Sequence, residues 1–250
     1  YDEGALQSDG ARALAPSHYY ARETQRLVTA LSAQTAEGAL YEVDMRLRPS
    51  GQSGPVATHF ASFLDYQTNE AWTWEHMALT RARAITGPPP LRSKVEAAIH
   101  TVLLSKRDRG KVAADVREMR ERIAKEKGTS NIWDLKQVRG GLVDLEFIAQ
   151  HLQLVMAHDD PQILDQNTGA VFRKLAGAGL LAPEHAEVLT GATDLLHNLT
   201  QILRLCLEGT FVPATAPNGL KELLARAGDA PSFAALEIRL TETLAAVAAL

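Results

Sequence analysis

Apolar positions recur every three or four residues along most of this chain, and one short stretch alternates instead. Over residues 18–33, Tyr19, Tyr20, Leu27, Val28 and Leu31 can share one helical face. Over residues 40–47 the period drops to two. Tyr41, Val43, Met45 and Leu47 alternate with Glu42, Asp44, Arg46 and Arg48, the signature of a half-buried strand. Pro49, Ser50 and Gly51, then Ser53, Gly54 and Pro55, predict a turn-rich loop after it. From His59 onward nearly everything has helical spacing. Helices are predicted over 59–67, 70–85, 91–105, 111–127, 142–158, 166–178, 183–208, 220–226 and 231–249. Gly87 with Pro88, Pro89 and Pro90 breaks this series, as do residues 128–141 and 213–219. The expected fold is therefore mainly α: a small α/β remnant over 1–87 and a helical bundle over 88–250, divided at the triple proline.

Hydrophobic residues make up 46% of the 250 and charged residues 22%, the balance of an ordinary soluble globular protein. A net charge of −4 lacks the basic excess of a nucleic-acid binder. No apolar run is long enough to span a bilayer, and no signal-peptide pattern opens the chain. A cytoplasmic location is expected, with no membrane partner. The one cysteine, Cys206, excludes an internal disulfide; it lies in an apolar helical stretch and is expected to be a buried structural thiol. Residues 1–16 are rich in Gly, Ala, Ser and Asp and read as a loop. A loop opening on Tyr1 is expected of a chain cut from a longer one.

The alternating stretch carries the chemistry. Its polar face presents Glu42 and Asp44, then Arg46 and Arg48. A solvated strand face would explain four charges. Phosphoryl and nucleotidyl transfer gives a sharper reading, because it needs carboxylates for hard divalent ions and cations for the transferring phosphate. Arginine's planar fork matches phosphate oxygens. On a strand, an Asp two residues before an Arg puts both on one face, roughly 7 Å apart.

The run Glu42-Val43-Asp44-Met45-Arg46-Leu47-Arg48-Pro49-Ser50-Gly51 resembles the third-carboxylate strand of the glutamine synthetase adenylyltransferases, members of the polymerase-β-like nucleotidyltransferase superfamily. Asp65-Tyr66-Gln67, Asn69-Glu70-Ala71-Trp72-Thr73-Trp74-Glu75-His76 and Arg81-Ala82-Arg83 come next in the family's order. Arg117-Glu118-Met119-Arg120 and Gly140-Gly141-Leu142-Val143-Asp144-Leu145-Glu146-Phe147 resemble its helical domain. The resemblance implies an enzyme that moves AMP from ATP to a tyrosine of glutamine synthetase with Mg²⁺. It assigns Asp44 to metal and Arg46 and Arg48 to the phosphates; Glu42, on the same strand face, is a candidate second metal ligand. Arg81 and Arg83 are candidates near nucleotide or acceptor. It also implies the PII signal protein and glutamine as regulators. The Asn69–His76 run looks more like the half that attaches AMP; the half that removes it stays open, as does a non-catalytic helical binding module for the second domain. The family's Gly-Ser and Asp-x-Asp elements are absent here, so the chain alone is expected to be inactive.

Other residues read more plainly. Glu70, Glu75 and His76 suit a structural network beside the site, and Trp72 and Trp74 suit either core or site. Asp144 and Glu146 stand in a first turn, where the helix dipole favours acids. The resemblance gives them the task of fixing that helix against the catalytic domain. Arg117, Glu118, Arg120, Glu121 and Arg122 read as a solvated helix face.

Overall fold

Helices supply almost all the regular structure of the computed structural model, which describes residues 1–2 and 7–250. Residues 3–6, inside the expected opening loop, lie outside the described residues. The chain divides into two compact units, Tyr1–Leu103 and Leu104–Leu250.

The first unit opens with α1 (Pro16–Ser32), whose proline sits in the first turn where its missing N–H costs nothing. A hairpin of two-residue strands comes after it, β1 (Gln34–Thr35) and β2 (Gly38–Ala39), with Gln34 opposite Ala39. A 3₁₀ turn at Gly51–Ser53 leads to α2 (Phe60–Asn69), α3 (Thr73–Leu79) and α4 (Pro89–Leu103). Both α2 and α3 pack on α4, around Met77, Leu79, Ala98, Ile99, Val102 and Leu103. By contrast α1 buries no residue, and its Tyr19, Tyr20 and Leu27 stay exposed. Tyr1 is tied in by its backbone: its amino group donates to the Thr58 carbonyl and its carbonyl accepts from Phe60 N–H at 2.7 Å. Its ring stacks on Tyr20.

Three expectations change here. Residues 40–45 form no strand; they run on from the hairpin without regular structure, with Leu40, Tyr41 and Leu47 each more than 60% exposed. Alternation describes the two sides of a strand, but a strand also needs a neighbour for its N–H and C=O groups. Among the described residues the only sheet is the β1–β2 hairpin. The helix expected over 70–85 is shorter. Glu70 ends α2, and α3 stops at Thr80, whose hydroxyl turns back onto the Met77 carbonyl. Finally, Pro89 and Pro90 of the triple proline stand in the first turn of α4, and the two compact units divide after Leu103.

The second unit contains α5 (Arg109–Lys127), α6 (Leu142–Met156), α7 (Thr168–Gly177), α8 (Pro183–Cys206), α9 (Asn218–Ala227) and α10 (Phe233–Ala248). Asp108, Asn167 and Ser232 cap α5, α7 and α10 with side-chain oxygens. Helix α7 packs on α6 and α8, α5 on α6, and α9 and α10 on α8. Leu145, Phe172, Leu196, Leu199, Leu224, Leu236 and Leu240 are fully buried between them. Each such side chain is worth about 1.5–3 kcal/mol of burial. Trp133, in the loop before α6, stacks on Phe233 at 5.3 Å and donates its indole N–H to Glu237. That loop ends at Gly140, with φ at +80°, where an added Cβ would lie 1.9 Å from the Leu244 carbonyl oxygen of α10. Only glycine lets the two backbones meet.

Two side chains depart from the sequence reading. Arg120 is buried, not solvated, and pairs with buried Asp144. Asp144 also accepts from Gly140 N–H, so it fixes α6 to α5 and to its own preceding loop, all within the helical unit. Cys206 is exposed, because the last turn of α8 runs past the core and Leu205 beside it is 81% exposed.

Candidate functional site

Asp44 and Arg46 form a two-pronged pair on the surface of the first unit. Arg46 Nε donates to both carboxylate oxygens, at 3.0 and 2.9 Å, and Nη2 donates to Oδ2 at 2.6 Å. The Arg46 backbone N–H adds a bond to Oδ1 at 2.9 Å, a local turn that Asp forms readily. These bonds from Arg46 hold the Asp44 carboxyl down at about 2, and the same carboxylate raises Arg46. Glu42, also exposed, adds a weaker pull on Arg46.

Arg48 is committed elsewhere. Its Nη1 donates to the Met45 carbonyl at 2.7 Å, Nη2 to Gln52 at 3.0 Å and Nε to Gly54 at 3.1 Å. One guanidinium thus gathers three carbonyls of a single loop, residues 45–54. The loop's tip holds two left-handed residues in succession, Ser50 at φ 58° and Gly51 at φ 54°. Serine rarely adopts that conformation, and it costs on the order of 1 kcal/mol or more there. At the far end, a Cβ on Gly54 would lie 1.9 Å from the Pro49 carbonyl oxygen. Arg81 and Arg83 stand past the end of α3, both exposed, in the connection to α4.

Behind the loop lies a network that joins α2 to α3. The Tyr66 hydroxyl donates to Glu75 Oε1 at 2.8 Å, and burial raises its pKa above the ordinary phenol value. Glu75, only 6% exposed, accepts from Trp72 N–H at 3.0 Å through its other oxygen. That reach back to the N-cap amide is half of a capping box. His76 Nε2 lies 2.8 Å from the Gln67 carbonyl of α2. Glu75 and His76 thus bind structure together, while Trp72 projects outward, 68% exposed. Sequence reasoning assigns no role to Tyr66 or Ser50. The Tyr66–Glu75 spacing of nine residues crosses a helix break, which periodicity does not reveal.

A divalent ion needs several oxygens, and Mg²⁺ needs near-octahedral placement. Among the described residues no three His, Cys, Asp or Glu side chains group closely enough to hold one. Asp44 can offer one carboxylate, now held by Arg46. The residues present do not form a magnesium site on their own.

Comparison with known proteins places both units. The family model for glutamate-ammonia ligase adenylyltransferase matches residues 1–98. The model for GlnD PII-uridylyltransferase matches residues 110–209. A bifunctional glutamine synthetase adenylyltransferase/adenylyl-removing enzyme of Rhodopseudomonas palustris is 52% identical over the whole chain. Those of Bradyrhizobium diazoefficiens and Xanthobacter autotrophicus are 51% and 52% identical over 97% and 96% of it. The chain spans about a quarter of the length of these relatives (24–25%). With the first unit matching the adenylyltransferase model and near-complete alignment at about 51% identity, this chain belongs, as a segment, to the family of bifunctional glutamine synthetase adenylyltransferase/adenylyl-removing enzymes.

Proposed function

We propose that this chain is the part of such an enzyme that completes the site for moving AMP from ATP to a tyrosine of glutamine synthetase, acting in the cytoplasm. The observation that carries this reading is the exposed Asp44–Arg46 pair at the edge of a clasped loop, inside the segment that matches the adenylyltransferase model. The relatives are named for both attaching and removing AMP; the Asn69–His76 run favours attachment. If Mg²⁺ binds in the parent enzyme, Asp44 would be one carboxylate ligand and Glu42 a candidate second, and the ion would neutralise charge on the triphosphate. Arg46, released from Asp44, is the cation placed for phosphate. Arg81 and Arg83 are candidates for nucleotide or acceptor contact. Arg48, with three of its five N–H donors on carbonyls, holds the loop and remains a candidate for phosphate through the others. We assign the second unit a regulatory role toward PII and glutamine in the parent enzyme, supported by its own compact core and its match to the PII-uridylyltransferase model.

The test is Asp44→Ala in the full-length enzyme, measuring ATP-dependent labelling of glutamine synthetase. Labelling should fall by about 100-fold or more, on the order expected when a group central to charge stabilisation is lost. The 250-residue chain alone should give none. Wild-type labelling by Asp44→Ala would remove Asp44 from the site.

A further inference from the structure

We propose that Arg48 is a positioning residue of the transfer site: by gripping the Met45 carbonyl it fixes the peptide from which Asp44 and Arg46 diverge, and so the direction in which both are presented. This rests on the reading of Asp44 and Arg46 given above.

Residues 41–45 have no regular structure, so neither helix nor sheet bonds hold the backbone at Asp44. Asp44 and Arg46 stand on either side of Met45, and the peptide that links Met45 to Arg46 is engaged at both of its polar ends. Its N–H donates to Asp44 Oδ1 at 2.9 Å. Its carbonyl accepts from Arg48 Nη1 at 2.7 Å, and the Arg48 backbone N–H lies 3.5 Å from the same oxygen. The first bond is lost whenever the Asp44 carboxylate turns to another partner. The bond from the Arg48 guanidinium does not involve the carboxylate, so it keeps the peptide in place when that happens.

Arg48 can act as a fixed point because the far arm of the loop holds it in turn. Nη2 donates to the Gln52 carbonyl at 3.0 Å and Nε to the Gly54 carbonyl at 3.1 Å. Left-handed Ser50 and Gly51 turn the chain back between the two arms. Gly54 then comes so near Pro49 that an added Cβ would lie 1.9 Å from the Pro49 carbonyl oxygen. Bonds from three nitrogens of one plane need a guanidinium; a lysine ammonium, a single point of charge, cannot bridge both arms in this way. Exposure agrees with the division of labour: Asp44 and Arg46 are exposed, and Arg48 is half-buried.

The experiment compares Arg48→Lys and Gly54→Ala with Asp44→Ala in the full-length enzyme, reading kcat, KM for ATP and the melting temperature. Lysine keeps the positive charge and loses the three-way clasp. Gly54→Ala keeps Arg48 itself and forces the far arm of the loop away from Pro49. For both we expect kcat to fall about 10- to 100-fold, as for a displacement of about 1 Å at a reacting site. KM for ATP should stay within about threefold of wild type, and melting should fall by only a few degrees. A phosphate contact through the two N–H groups left over would instead survive in Arg48→Lys, since an ammonium also binds phosphate, or would show as a higher KM for ATP. Arg48→Lys with wild-type kcat, or with its whole loss in KM for ATP, overturns the proposal. So does wild-type kcat in Gly54→Ala. Melting lowered by more than about 10 degrees in both variants also overturns it, because the loss is then unfolding of the unit rather than misplacement. If Asp44→Ala keeps full activity, the site reading fails first; if Asp44→Ala is inactive and Arg48→Lys is unchanged, only the role of Arg48 fails.

Discussion

Asp44 faces two demands that compete for the same oxygens. Paired with Arg46 it is satisfied; offered to a cation it must give up at least one of those bonds. The pair is exposed on both sides, so water and salt screen it and it adds little to folding stability. Its measurable consequence is a titration. Because Arg46 stabilises the charged form, Asp44 should protonate with a midpoint of about 2 rather than the ordinary 3.8. A carboxyl depressed by folding lends its contribution above the unfolded value and loses it as pH falls from about 4 to about 2. Carboxyl-carbon NMR of labelled protein should show that low midpoint. Replacing Arg46 by Gln should return it toward the ordinary value. A midpoint unmoved by Arg46→Gln would mean the ion pair does not form in solution.

At the scale of elements, the helices were readable and the strand was not. Helix-forming periodicity is local, so α1, α2 and α4 through α10 appear close to the predicted spans. A strand depends on a partner remote in sequence, and 40–47 finds none among the described residues. Glu75 does sit in a structural network, as expected with Glu70 and His76, but its partner Tyr66 lies across a helix break that periodicity does not reveal. Arg120 shows the opposite failure. Its helix is crowded with charge, which suggested solvent. Yet Val112, Val116 and Arg120 lie four apart, and the apolar stripe of α5 runs through the arginine. The buried Arg120–Asp144 pair locks α5 to α6, and removing Arg120 leaves the buried carboxylate with only the Gly140 N–H and the longer contact to exposed Arg139 at 3.4 Å. Arg120→Met should therefore destabilise the second unit by about 3–5 kcal/mol in denaturant unfolding. Adding Asp144→Leu should recover part of this, but not all, because Gly140 N–H then loses its acceptor. A single variant within about 1 kcal/mol of wild type would show that the pair is not a stabilising lock.

The whole molecule is uneven. Buried side chains concentrate in the second unit, where one continuous cluster runs from Trp133 to Val247. The first unit keeps a small core under α2, α3 and α4, and α1 lies outside it with no buried residue. No helix among the described residues is long and apolar enough to cross a membrane. Local opening free energies range from near zero to the full stability of a domain. Hydrogen exchange on this chain should therefore protect α6, α7 and α8 most. Amides of α1 should exchange at least about 100-fold faster, a gap of only about 2.7 kcal/mol. Comparable protection of α1 and α8 would mean that α1 is held by contacts its exposed surface does not suggest.

Gly140 also bears on the order in which the chain is made. The loop before α6 is closed by residues far ahead of it in synthesis: Leu244 seats against Gly140, and Phe233 and Glu237 hold Trp133. Helices α5 to α9 can form and begin to pack while translation continues, with Phe211 already available to Trp133, but the contacts to Phe233, Glu237 and Leu244 wait until α10 has left the ribosome. The second unit is thus assembled from both ends of its own sequence, and its most intimate backbone contact is among the last to become possible.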